Sequence, residues 1–373
     1  MLSRLKFDLS EIIKQKLTHI PNYIWESKTT TFCDLQMAGG QYIKEIVNKL
    51  REFGHSDENI KSRVFGYSEN EFYLAVIQGD SSLIGTFNVY NENIDMKFDV
   101  QLGNDPYQIS VGPKKTEPIW DRHVEKRLSL LKKDGYLALI HPAGWRNIDG
   151  RFKYIQNYLK SNDLIHLEMY SEKDGLKVFG ASIVFDWYIL RNSKTENLLT
   201  TIKTFDNSII KENISKLQFI PNSNFDKIFS MIAKEGEETV EILHEWSMYE
   251  TRKNHMSKHK DKNFKYPCVC NVDVNENPTL MYSSINRGHF GISKLICESA
   301  SSGTNFLIDS NGEYGITQFS FGIVEDSDNL KKLKMALKSE KFQELIKSIP
   351  NYSSAINYKI LSEFKKDFWK EFI

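Results

Sequence analysis

Cysteine is scarce and unpatterned in this 373-residue chain: Cys33, Cys268, Cys270 and Cys297 include no CxxC pair and no histidine companion at zinc-site spacing. That argues against a disulfide-stapled secreted scaffold and a thiolate metal site, and predicts reduced, structural thiols in a cytoplasmic setting. No apolar run approaches the roughly 18 residues of a membrane span. The opening MLSRLKFDLSEIIKQKL is too charged for a signal peptide and carries an amphipathic helix pattern instead. Net charge is missing too, since 49 Lys+Arg face 49 Asp+Glu. No global field announces nucleic acid, yet a neutral total is compatible with a basic groove opposed by an acidic back. No GxGxxG follows the first strand, which counts against a nucleotide-dependent oxidoreductase. Internal repeats and low-complexity tracts are absent as well.

What is present is the composition of a folded protein, 40% hydrophobic and 12% aromatic, at a length that favours two domains. From residue 30 to about 192, short β-rich runs alternate with helical ones. TTTFCDL precedes GQYIKEIVNKLREFG, SRVFGYS precedes ENEFYLAVIQ, and LIGTFNVY and KFDVQLG follow. IWDRHVEKRLSLLKKDG then leads into YLALIHPAGW, and GRFKYIQNYLKSN into LIHLEMYS. Strands separated by helices of that length predict an α/β fold with a doubly wound, mostly parallel sheet. KDGLKVFG, between LIHLEMYS and ASIVFDWYILRN, is too short for a crossover helix, so the sheet is expected to end in an antiparallel hairpin. Beyond Asn192 the texture turns polar, then Ser/Gly/Asn-rich from Tyr266 to Val324, with helix signals in NSNFDKIFSMIAKEG and NLKKLKMALKSEKFQELIKSI. The expected division is 1–194 for the sheet domain and 195–373 for a second, α+β domain.

In such a sheet, ligands sit beyond the carboxyl ends of the strands. FCDLQMAGGQY (32–42) ends a strand on Asp34, and Gly39 and Gly40 permit close backbone approach before a helix begins. Ordinary turn chemistry is the alternative for those glycines. FGYSEN (65–70) presents Glu69, either to a ribose or simply to a helix N-terminus. FDVQLGNDPYQ (98–108) delivers Asn104, Asp105, Pro106 and Tyr107 to the end of a buried strand.

The order DxxxAGG, GYSEN, GNDPYQ, HPAGW resembles the amino-methyltransferases that carry a methyl group from S-adenosylmethionine to N6 of adenine in DNA, cofactor motifs first and target-recognition domain last. The likeness runs through IWESKTTTFCDLQMAGGQYIKEIV, IWDRHVEKRLSLLKKDGYLALIHPAGWRN and YSSINRGHFGISKLI. It implies a class I methyltransferase fold for 1–194 and DNA target recognition for 195–373. By that resemblance Asp34, Ala38, Gly39, Gly40 and Glu69 hold the cofactor. Asn104 and the carbonyl of residue 105 accept the two hydrogens of the adenine amine, Pro106 stiffens the turn, and Tyr107 stacks on the flipped base. Phe185 would face the other side of the base, with a core position as its alternative. The implied partners are double-stranded DNA and either a partner subunit or a cognate endonuclease; neither a membrane nor a metal is implied.

The family pattern is Asn/Asp-Pro-Pro-Tyr/Phe, and Asp105 stands at its first proline. The carbonyl survives that change, but the turn loses a constraint worth roughly 0.4–1 kcal/mol, and restoring proline is expected to raise turnover. The departure leaves open a catalytically impaired homologue that binds DNA alone or as a partner subunit. DNA contacts are expected from Lys114 and Lys115 beside the turn. Others are expected from Arg252, Lys253, Lys258 and Lys260 in ETRKNHMSKHKDKNFKY, and from Asn286, Arg287 and His289 in INRGHFG. For the lysine-rich segment the alternative is a solvated loop.

Overall fold

The computed structural model describes residues 9–37, 39–68, 70–89, 96–113, 115–244, 248–299, 305–350 and 356–373. Contacts divide the chain into units Met1–Gln218 and Phe219–Ile373. The first contains helices α1 (Leu9–Thr18) and α2 (Asn22–Glu26), then strand β1 (Phe32–Asp34), α3 (Gln41–Glu52), α4 (Asp57–Lys61), β2 (Val64–Gly66), α5 (Glu71–Gln78) and β3 (Asn88–Val89). β4 (Phe98–Asn104) is followed by a two-stranded ribbon, β5 (Gln108–Gly112) with β6 (Lys115–Pro118). α6 (Trp120–Ser129), β7 (Leu131–Pro142), α7 (Lys153–Ser161), β8 (Asp163–Tyr170), α8 (Glu172–Phe179), β9 (Phe185–Arg191), β10 (Thr200–Lys203) and β11 (Ile209–Glu212) complete it.

Nine of these strands form one sheet in the order β11-β10-β8-β9-β7-β4-β1-β2-β3. The pairs β4–β7, β1–β4, β1–β2 and β2–β3 are parallel, whereas β9 runs antiparallel to both β7 and β8. This is the doubly wound class I methyltransferase sheet with its antiparallel end, followed by additional α+β structure. Its geometry follows from the residue pattern. On β4, Val100 and Leu102 enter the main core with Ile43, Ile46, Val47 and Leu50 of α3. Gln101 and Gly103 alternate to the opposite face, against α6. Each fully buried Val or Leu contributes about 1.5–3 kcal/mol, so the β4 register is strongly fixed.

Three local expectations change. KDGLKVFG forms helix α8, with Ser171 and Asp174 as a capping box and Gly180 at φ 70 ending it. The strands it joins are nevertheless antiparallel, because one short helix returns the chain without a crossover. Among the described residues of LIGTFNVY, Asn88–Val89 alone is strand. Residues 200–212, assigned to the second domain from their polar texture, instead extend the first sheet, since β10 pairs parallel with β8 and antiparallel with β11.

The second unit holds α9 (Phe225–Met231), the strands β12 (Ile242–Leu243), β13 (Met256–Ser257), β14 (Tyr266–Val272), β15 (Pro278–Ser283), β16 (Lys294–Glu298), β17 (Phe306–Asp309), β18 (Gly315–Ile316) and β19 (Ser320–Val324), and helices α10 (Leu330–Lys338) and α11 (Glu340–Lys347). Two four-stranded sheets, β12-β19-β16-β17 and β13-β15-β14-β18, bury Val269, Val272, Ile296 and Ile316 between them. A fragment ending at Gln218 is expected to melt cooperatively. One ending at Lys194 leaves the β8 edge unpaired and is expected to aggregate on heating, which light scattering during the melt checks.

Candidate active site

β1, β2, β4 and β7 are parallel neighbours, and their carboxyl ends bring Asp34, Gly66, Asn104 and Pro142 to one side of the sheet. The chain turns directly after Asn104. Tyr107 closes the turn: its carbonyl accepts from the Ile119 amide at 3.0 Å, and its hydroxyl donates to Asn104 Oδ1 at 2.8 Å. The Tyr107 ring meets Phe179 edge-on at 5.8 Å. Burial, reinforced by the Asp105 carboxylate, raises the Tyr107 pKa and keeps the phenol protonated. Asn104 is therefore held with its oxygen towards a donor, here the tyrosine hydroxyl.

Asp105 turns inward rather than towards solvent. Its carboxylate receives a two-pronged contact from Arg127 of α6, Nε to Oδ2 at 2.7 Å and Nη2 to Oδ1 at 2.5 Å. The same guanidinium donates from Nη1 to the Leu102 carbonyl at 2.8 Å and from Nη2 to Asp34 Oδ1 at 3.1 Å. The Arg127 side chain is 1% exposed and those of Asp105 and Asp34 are 6% and 3% exposed, so this is a buried carboxylate–guanidinium–carboxylate bridge between β1 and β4. Gly103 makes room for it, because a Cβ there would lie 2.1 Å from Arg127 Nη2. Gln101 holds the helix end by donating to the Arg127 carbonyl at 2.7 Å. Burial works to lower the Arg127 pKa, but the Asp105 and Asp34 charges outweigh it and raise it. Burial pushes the Asp34 carboxyl up to about 6 in spite of Arg127. With both carboxyls ionised the bridge carries one net negative charge.

The cofactor-side residues fit S-adenosylmethionine, a cation bearing an ammonium and a carboxylate. Gly40 sits at φ 70 as the N-cap of α3, where a Cβ would meet Ile77 at 2.9 Å, while beside Gly39 there is open space. The first turn of α3 has neither an acidic residue nor a side-chain cap, so its amides are available to an anion. Asp34 Oδ1 is engaged by Arg127 and the Gln36 amide, and Oδ2 has no donor among the described residues. Ala38, Glu69 and Lys114 lie outside the described residues.

Other predicted positions separate. Phe185 is fully buried, stacked on Tyr170 at 4.7 Å and edge-on to Phe179 at 5.0 Å. It supports the ring row that reaches Tyr107 and does not present a face to a base. Lys115 is exposed on the β5–β6 ribbon, 3.3 Å from Glu117. In the second unit, Arg252, Lys253, Lys258 and Lys260 are exposed. The segment before β13 and the loop after β15 lie at one end of the same sheet, since Met256 is in register with Ser283 and the Ser284 amide donates to the His255 carbonyl at 3.0 Å. That brings Arg252 and Lys253, and not Lys258 and Lys260, to the same sheet end as exposed Asn286 and Arg287. Tyr249 pins the second loop by accepting from the Arg287 amide at 3.0 Å and donating to its carbonyl at 2.6 Å. His289 is the exception: it is buried, its Nδ1 accepts from the Ile316 amide, and burial with nearby Lys294 pushes its pKa down to about 4. It braces the loop as a neutral ring.

Residues 24–179 match the family model described as Eco57I restriction-modification methylase. That match covers less than half of the chain. No curated protein matches the chain. Among solved structures, it is similar to the EcoKI M protein of a type I restriction enzyme (TM-score 0.40, 12% identity, 54% of this chain and 49% of that one). It is also similar to the type I methyltransferase subunit from Streptococcus thermophilus (0.40, 15%, 57% and 52%) and the type IIG restriction endonuclease BpuSI (0.46, 8%, 98% and 60%). The chain spans about half the length of the type I subunits it matches.

Sequence reasoning missed Arg127, although a signal existed. On α6 the buried positions are Trp120, Asp121, Val124 and Arg127, so the arginine occupies a core slot at helical spacing. It also missed His19, His166 and Glu168, whose ligand atoms lie within 4.8 Å of one another. The two imidazoles stack at 3.8 Å, so their in-plane lone pairs do not converge on one ion, and Glu168 already accepts from Tyr170 and Lys203. The bridge reverses the expected benefit of proline at 105. Asp105→Pro strips two hydrogen bonds from a buried guanidinium and is expected to destabilise the protein by about 3–5 kcal/mol. Gly103→Ala is expected to cost about 1–3 kcal/mol by displacing the arginine. Urea unfolding of the two variants checks both figures.

Proposed function

We propose that this chain is a site-specific DNA methyltransferase that methylates N6 of an adenine turned out of the duplex, with S-adenosylmethionine as methyl donor. The observation that carries the reading is the Asn104–Tyr107 turn standing at the end of β4, beside a glycine turn and helix N-terminus suited to the cofactor. When bound, the cofactor supplies an electrophilic methyl group. The chain's own residues orient the nucleophile. Asn104 Oδ1 and the carbonyl of residue 105 accept the two amine hydrogens, which turns the nitrogen lone pair outward, and Tyr107 offers its ring to the base. No covalent enzyme intermediate is required, because the amine is nucleophilic once its lone pair is localised. Asp105 does not oppose this chemistry, since its carboxylate is directed onto Arg127 and away from the turn's open side.

The second unit supplies DNA contacts in this reading. Arg252, Lys253 and Arg287 gather at one sheet end, where they neutralise phosphate and reach base edges. A partner subunit or a cognate endonuclease belongs to the same proposal.

Tritiated methyl transfer to mixed-sequence DNA tests the reading. Asn104→Ala is expected to abolish transfer while leaving S-adenosylhomocysteine binding intact; transfer that survives the substitution contradicts the assigned role. Asp34 must be ionised to receive an ammonium, and its carboxyl titrates at about 6. Calorimetric affinity for S-adenosylhomocysteine is therefore expected to fall as pH drops through that value, and Asp34→Asn to remove the dependence. Stability moves the opposite way. A carboxyl whose pKa is raised by folding contributes fully below its ordinary value near 3.8 and loses that contribution as pH rises through about 6.

A further inference from the structure

We propose that Arg127 is a positioning residue that makes the base-side turn and the cofactor-side acid a single unit, so that Asp105, which belongs to the turn, governs affinity for the cofactor. The inference rests on the methyltransferase reading above. Its basis is geometric. One guanidinium spans Asp105 on β4's end and Asp34 on β1's end, and a third hydrogen bond fixes it to the Leu102 carbonyl. Arg127 Nη2 is shared between Asp105 Oδ1 and Asp34 Oδ1, so a shift of one carboxylate re-aims the nitrogen that the other receives. That contact and the Gln36 amide both fall on Oδ1, and Oδ2 has no donor among the described residues. Gly103 leaves no slack, because the guanidinium lies where its Cβ would stand. A lysine has one compact ammonium and lacks the planar fork that serves both acids.

The charges around the bridge are few. Cys33 on β1 is buried and its thiol is held protonated by desolvation; Tyr42 on α3 is likewise held neutral. His141 on β7, pushed down to about 4 by burial, is neutral as well. Among the described residues the bridge is therefore the charged feature at the ends of β1 and β4, and two carboxylates against one guanidinium leave it complementary to a cationic cofactor.

The test is calorimetric titration of the full chain with S-adenosylhomocysteine, alongside thermal melts. Asp105→Asn is expected to weaken binding about 5- to 100-fold, and to add nothing further in an Asp34→Asn background. Arg127→Lys, which keeps the buried positive charge, is expected to weaken binding by a similar factor and supplies the test if Asp105→Asn does not fold. The melts separate the two roles: affinity lost in Arg127→Lys at a near wild-type melting temperature supports positioning, whereas affinity that falls only in step with melting temperature would reduce Arg127 to a purely structural part. Wild-type affinity in both single variants overturns the inference and leaves the methyltransferase reading standing. Absence of binding by wild type overturns that reading, and the inference with it.

Discussion

A buried guanidinium shared by two carboxylates is the constraint around which the first unit is arranged. Desolvating Arg127 alone would cost several kcal/mol, and desolvating Asp34 and Asp105 without it would cost more. The fold accepts these charges because their geometry is satisfied: two contacts to Asp105, one to Asp34 and one to the Leu102 carbonyl. The demand then propagates. β4 must carry glycine at 103, α6 must present an arginine on its core face, and β1 must end in an acid. Those three strand and helix ends are also where a cofactor and a base would meet, so the interaction that orders the sheet's carboxyl edge also fixes the donors and acceptors there.

The consequence for the turn is a change in what makes it rigid. Proline restricts backbone freedom through its ring, an effect on the unfolded chain as much as the folded one. Asp105 restricts the same position through its side chain, anchored 22 residues away on α6. A proline at 105 would hold that position by itself, whereas Asp105 holds it only while Arg127 is in place. The ring row Tyr107, Phe179, Phe185 and Tyr170 supplies the apolar half of the same support.

The alternation of strand and helix patterns was enough to read the parallel sheet, the strand-end positions of Asp34 and Asn104, and the antiparallel finish, because period and spacing are local properties. The caps of α8 were equally local, Ser171 with Asp174 at one end and Gly180 at the other, but a segment of that length was weighed only as a connection. Residues 200–212 were hidden for a different reason: an edge strand with one face open to solvent has the polar texture of a loop. Arg127 was hidden because ion-pair partners distant in sequence leave no periodic trace; only its slot between Val124 and the strand face distinguishes it from the other charges of α6. His289 and Phe185 show the reverse error, where residue types suited to DNA or base contacts are used for packing. Local texture cannot distinguish a presented side chain from one turned under its own loop.

Under the proposed function, the second unit delivers DNA and the first performs transfer, and the chemical identity of the product distinguishes this account from its neighbours. The most direct measurement is mass spectrometry of nucleosides released from duplex DNA after incubation with the full chain and S-adenosylmethionine carrying a heavy methyl group. The account predicts a heavy label on deoxyadenosine, at N6. Label on deoxycytidine, or DNA left unlabelled by a folded protein that binds the cofactor, would contradict it.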